Sequence, residues 1–89
     1  MLELITTTRF ERDVKRMKQR KKDLQKLKPV IEFLLNSKPL PEKYQDHWLT
    51  GNYNNRRECH LEPDWLLIYE PRKKEIVFER TGSHSDLFK

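Results

Sequence analysis

Two histidines, a carboxylate and an arginine are gathered in the last third of this sequence. His60-Leu61-Glu62-Pro63-Asp64-Trp65 opens one apolar run, Arg80-Thr81-Gly82-Ser83-His84 closes the next, and Phe88 follows shortly after. Such side chains can cleave a phosphodiester by acid–base chemistry alone. One group takes a proton from a ribose 2′-hydroxyl, another protonates the leaving oxygen, and a fixed cation holds the phosphate. His84, a side-chain type that can carry or lose a proton near neutral pH, suits the general acid. Asp64 or His60 suits the base, and the residue types alone do not choose between them. Arg80 presents the paired donors of a phosphate clamp. Phe88 offers a face on which an unpaired base can stack. Trp65 offers the same, although a tryptophan that opens an apolar strand is equally a core residue.

A metal centre is the competing use for these residues, and the spacing argues against it. There is no Cys-x2-Cys or His-x3-5-His doublet, and His60 and His84 stand 24 positions apart. No metal and no cofactor are expected. Cys59 neighbours His60 in a strand-like segment, so the two side chains should point to opposite faces and the thiol is not the expected nucleophile.

These groups need a scaffold, and the periodicity outlines one. Leu2 to Ile5 reads as a short strand. Thr8-Arg9-Phe10-Glu11 matches a capping box, and Phe10, Val14 and Met17 then recur at helical spacing. Lys21-Lys22-Asp23 is a break, with Asp23 a candidate N-cap for a second helix bearing Leu24, Leu27, Ile31, Leu34 and Leu35 on one face. Pro29 lies early in that helix, as a first-turn proline or a kink. A loop over residues 42–48 carries His47, and three strand-like segments follow at about 54–61, 65–70 and 75–81. Trp65-Leu66-Leu67-Ile68-Tyr69 is apolar throughout, as a central strand covered on both faces would be. Pro71 to Lys74 is a hairpin turn, and Gly82 allows a sharp turn into a short terminal segment. The expectation is a single α+β domain over residues 1–89: an N-terminal strand, a helical hairpin on one face, then an antiparallel sheet.

Composition bounds the rest. The 89 residues are 35% hydrophobic and 37% charged, enough for one small core under a heavily solvated surface. No stretch is apolar enough to span a membrane, no signal-peptide pattern is seen, and one cysteine cannot form an internal disulfide; a cytoplasmic protein is expected. The net charge of +5 is concentrated: ten Lys/Arg against three acids between Arg9 and Lys28 leave +7 there. That excess is too one-sided for local pairing and points to a polyanionic partner, or else to an acidic protein.

Asp46-His47, Leu49-Thr50-Gly51, Arg57, His60 to Trp65, Leu67-Ile68-Tyr69, Phe78 to His84 and Leu87-Phe88 together resemble the YafQ branch of the RelE/ParE-like toxins of bacterial toxin–antitoxin systems. The resemblance runs over nearly the whole chain and implies the RelE-like fold. It also implies a ribosome-dependent endonuclease that cuts mRNA in the ribosomal A site. A tightly bound antitoxin, expected to be a ribbon–helix–helix protein, would neutralise it, with operator DNA met only through that antitoxin. The functional positions of the family fall on His47, His60, Asp64, Trp65, Arg80, His84 and Phe88. The basic stretch then becomes a surface for ribosomal RNA, with Arg12, Lys15, Lys18 and Lys22 as docking residues. A non-catalytic inhibitor of the same fold, as in ParE-like relatives, or a plain RNA-binding module is the alternative. The titratable cluster favours the enzyme.

Overall fold

The computed structural model describes residues 1–88. Strand β1 (Glu3–Thr6) leads into helix α1 (Thr8–Gln19), and a single 3-10 turn (Leu24–Lys26) into α2 (Leu27–Leu35). A two-residue strand β2 (His47–Trp48) precedes β3 (Arg57–Glu62), β4 (Trp65–Pro71), β5 (Glu75–Gly82) and the short helix α3 (His84–Leu87). The strands form one sheet in the order β1-β5-β4-β3-β2.

The expected architecture holds, with local corrections. The sheet is mixed, not antiparallel: β1 runs parallel to β5, Leu4 opposite Ile76 and Thr6 opposite Phe78. Strands joined by tight turns must run antiparallel, but β1 and β5 are separated by almost the whole chain and escape that constraint. The N-cap of α1 is Thr7, one residue before the expected Thr8; its hydroxyl accepts the Phe10 N–H at 3.0 Å. Glu11 instead accepts a hydrogen bond from Thr6. Asp23 is a cap, but of the 3-10 turn preceding α2. Pro29 falls in the first turn of α2, where its missing N–H has no partner to lose. The segment expected as a loop around His47 is an edge strand on β3, His47 opposite Glu58 and Trp48 opposite Arg57.

Central strand β4 is buried from Trp65 to Tyr69, as its unbroken apolar run requires. Leu67 and Tyr69 join Cys59 and Phe78 under α1 and α2, against Phe10, Leu27, Val30 and Leu34. Leu66 and Ile68 face the other way, under Leu87 of α3 and the segment carrying Leu49 and Tyr53. Among the described residues, no helix is long and apolar enough to cross a membrane.

Because β1 stops at Thr6, the end of β5 has no neighbouring strand on that side. Residues from α1 and its cap replace it. Thr7 bonds the backbone at both Phe78 and Glu79. Asp13, 2% exposed, accepts the Thr81 N–H at 3.1 Å and holds the Arg80 guanidinium through Nε at 2.7 Å and Nη2 at 3.2 Å. Removing this carboxylate leaves a buried cation and a buried amide unpaired. Asp13→Ala should therefore cost about 3 kcal/mol or more of folding stability, as broken buried pairs do. Urea unfolding monitored by tryptophan fluorescence measures it, and a loss below about 1 kcal/mol would contradict the role given to Asp13.

Candidate active site

The face opposite α1 and α2 carries the titratable cluster, and each member arrives by a distinct route. His60 sits on β3 opposite Leu66, so its ring shares the face of Leu66 and Ile68. A bulge follows between His60 and Glu62, after which the two-residue turn Pro63-Asp64 brings Asp64 to the rim. Asp64 is thus a turn residue that also stands in the titratable cluster.

His84 comes from the opposite side. Gly82, at φ +156°, closes β5; a Cβ there would stand 2.8 Å from an Asp86 oxygen. Ser83 and Asp86 then form a reciprocal capping box that starts α3 at His84. Arg20 grips Asp86 with two bonds, at 2.7 and 3.1 Å, while Arg16 lies 3.5 Å away. Arg20, followed by the Ser83 bonds, holds the Asp86 carboxyl well below the usual carboxylate range even though partial burial opposes this.

The two arms meet at Asp64. One of its oxygens accepts both the His84 backbone N–H, at 2.9 Å, and the ring Nδ1–H, at 2.8 Å. The backbone bond and then the ring bond lower the Asp64 pKa. With Nδ1–H committed to a carboxylate, Nε2 of His84 is the nitrogen turned to the outside. The His60 and His84 rings lie 6.0 Å apart, centre to centre, and Phe88 lies 6.1 Å beyond His84. Phe88 is 42% exposed and packs edge-on against Tyr53 at 5.7 Å.

His47 joins through a residue the sequence reasoning missed. Glu58 is 5% exposed, and its Oε2 lies 3.2 Å from Nε2 of His47 and 3.5 Å from Nε2 of His60. It stands two positions before His60 in a strand, and that spacing places both on one face. Nδ1 of His60 lies 3.4 Å from the Pro63 carbonyl, an oxygen that can only accept, so an Nδ1–H donated there leaves the lone pair on Nε2, on the side of Glu58. Tyr53 and Asp86 also escaped the sequence reading, since their roles come from contacts remote in the chain.

Two expected site residues are placed otherwise. Trp65 is fully buried; its indole N–H donates to Thr81 Oγ1 at 2.9 Å, and that hydroxyl donates to the Leu66 carbonyl. It is core and has no face open for stacking. Arg80 is 9% exposed and bound to Asp13 through two nitrogens, so it is not an open clamp; only Nη1 lies outside that pair. The basic stretch is corrected too. Lys22, expected on the docking surface, is bonded to Glu62 at 2.7 Å, as is Lys26 at 2.8 Å. Arg12, Lys15 and Lys18 remain exposed. Cys59 is buried on the helical side, and burial pushes its thiol pKa up, away from nucleophilic use. Among the described residues, no three His, Cys, Asp or Glu side chains converge as a metal cage.

A mixed sheet with a helical pair on one face, and a histidine–carboxylate cluster on the other, is the build of a small bacterial toxin. The chain belongs to the YafQ family of bacterial toxins of type II toxin–antitoxin systems, whose model matches residues 2–89. It is 46% identical over 80 residues to the mRNA interferase toxin YafQ of Escherichia coli K12, covering 89% of this chain and 87% of the relative. The E. coli DinJ–YafQ toxin–antitoxin complex matches with a TM-score of 0.91 at 42% identity, over 99% of this chain and 98% of the other. A metal-bound toxin from Helicobacter pylori matches with a TM-score of 0.93 at 41% identity, over 99% and 100%.

The Asp64–His84 contact carries a pH signature. A depressed carboxylate pKa means the contact is complete above the ordinary aspartate value of about 3.9 and is lost as pH falls through the lower, folded value. The main titration step of the Asp64 side-chain carboxyl carbon resonance should fall below about pH 3.9. A transition centred at or above 3.9 would contradict the geometry.

Proposed function

We propose that the chain is an mRNA interferase: a metal-independent endoribonuclease that cuts mRNA in the ribosomal A site through attack of the 2′-hydroxyl on the adjacent phosphodiester. The observation that carries this is the facing pair His60 and His84, with Asp64 fixing the second ring and Phe88 beside it. A scissile phosphate between the rings would meet a base on one side and an acid on the other. The 46% identity to a relative named as an mRNA interferase supports the substrate.

His60 is the base in this reading, because Asp64 is already engaged by two donors from His84. Glu58 orients His60, and His47 on the same carboxylate gives a second imidazole beside it. His84 delivers its Nε2 proton to the leaving 5′-oxygen, and Asp64 stabilises the ring while it is charged. The 2′-oxygen–phosphorus bond forms as the phosphorus–5′-oxygen bond breaks, which yields a 2′,3′-cyclic phosphate and a 5′-hydroxyl. Phe88 supports a neighbouring base by stacking. Arg80 anchors the strand end that delivers His84, with Nη1 left to approach a phosphate.

His84→Ala should lower the single-turnover cleavage rate by roughly 10²–10⁴-fold while leaving ribosome affinity nearly unchanged. Cleavage should also survive EDTA. That arm matters because the Helicobacter pylori relative is described as metal-bound. Cleavage abolished by chelation and restored by a transition metal, beyond what the ribosome itself needs, would refute the mechanism.

Docking on ribosomal RNA uses the exposed face of α1, with Arg12, Lys15 and Lys18 contacting phosphates. Lys22 serves the scaffold instead. Reversing the three to glutamate should weaken ribosome binding and flatten its salt dependence by about 0.7–0.9 in log–log slope per lost contact. An unchanged slope would make this face merely solvated.

The partner in this reading is a cognate antitoxin, in keeping with the DinJ–YafQ toxin–antitoxin complex, and a ribbon–helix–helix protein that itself holds the operator. The setting is the cytoplasm, where ribosomes and an acidic antitoxin both meet a basic toxin.

A further inference from the structure

Beside His60 the sheet is left unfinished. Strand β2 covers β3 only at Arg57 and Glu58, so the outer edge of β3 from Cys59 onward has no strand beside it. The single turn Glu42–Tyr44 packs there instead and leaves a trough. Two adjoining cavities of about 310 and 290 Å³ fill it, both lined by Lys43, His60 and Leu61. The first reaches Lys26 and Tyr44, the second Gln45, Glu62 and Pro63. The trough therefore opens from the catalytic imidazole itself.

Its charge is equally specific. Glu62, the acid on its wall, is already neutralised by Lys22 and Lys26. Lys43 has no ion-pair partner among the described residues. Its ammonium lies 5.2 Å from the ring centre of Tyr44, which is itself buried. A contact with an aromatic face steadies an ammonium without cancelling its charge, and its N–H donors stay free for an anion. A steadied, unneutralised cation in a trough leading away from the cleavage point is suited to a polyanionic strand.

We propose that this trough is a subsite for the backbone phosphate flanking the scissile bond, with Lys43 as its cationic contact. The proposal rests on the reading of the chain as an mRNA-cleaving enzyme. Lys43 takes no part in the proton transfers. It binds the strand on one side of the cut and so holds the scissile phosphate between His60 and His84.

The test is single-turnover cleavage of ribosome-bound mRNA at varied toxin concentration. Lys43→Met should raise the concentration giving half-maximal rate by roughly 5–10-fold, with the saturating rate within about twofold of wild type, and Lys43→Arg should recover most of the loss. The same titration is run on mRNAs with one neutral methylphosphonate linkage, on either side of the scissile bond in turn. For one of those linkages the wild type should lose affinity as Lys43→Met does, and the two changes together should cost no more than either alone. Fully additive effects at both linkages would mean that Lys43 meets some other polyanion, and would overturn the subsite. So would an unchanged Lys43→Met protein, or one whose saturating rate falls instead. A wild-type protein that cleaves nothing would overturn the enzymatic reading, and this one with it.

Discussion

One buried carboxylate, Asp13, stands where the sheet would otherwise come apart. Strand β1 gives out at Thr6, and beyond it β5 would present unpaired backbone to the interior. Asp13 reaches from α1 to take the Thr81 N–H and the Arg80 guanidinium together. Thr81 in turn accepts the Trp65 indole N–H and bonds the Leu66 carbonyl, so the same anchor locks β5 to β4. The next residues after that anchor are Gly82, Ser83 and His84. The direction in which His84 leaves the sheet therefore depends on a contact made on the far side of β5 from β4.

The basic helix has a double character that its charge pattern alone conceals. Arg16 and Arg20 reach across the surface to Asp86 and tie α3 down, while Lys22 and Lys26 clasp Glu62 beside the turn that carries Asp64. The two arms of the site are thus each tied to the same helical layer by ion pairs. Arg12, Lys15 and Lys18 take no part in these pairs and are exposed. Exposed pairs of this kind add little stability singly, but here they set position: each restrains a segment that bears a member of the candidate site.

The site is economical because each polar group serves two others. Asp64 accepts from both the backbone and the ring of His84, and Glu58 faces both His47 and His60. On the helical side Asp46 does the same, accepting from the Tyr69 hydroxyl at 2.7 Å and from Arg57, whose guanidinium lies 4.7 Å from the Trp48 ring centre. That network fixes the edge strand bearing His47. Two-residue strands have little pairing of their own, and side-chain bonds supply the restraint.

The sequence by itself determined the elements and the roster of reactive groups. Helical spacing of Phe10, Val14 and Met17, the unbroken apolar run of β4, and the punctuation at Pro71 and Gly82 are local signals, readable because period and turn chemistry act over a few residues. His60, Asp64 and His84 were legible for the same reason, as ionisable types crowded near strand ends, with the aromatic Phe88 close behind. Only the tertiary structure decided which of the candidates stand in the open. Trp65 and Arg80 were withdrawn into the interior by partners 16 and 67 residues away, and Lys22 was paired at the surface by one 40 residues away. Glu58, unremarkable in the sequence, became the carboxylate between two imidazoles. The parallel pairing of β1 with β5 overturned the antiparallel expectation, since it joins the two ends of the chain, beyond the reach of local pattern. Whether a charge is free or paired depends on what folds against it, and a pairing partner remote in the chain leaves no trace in local pattern.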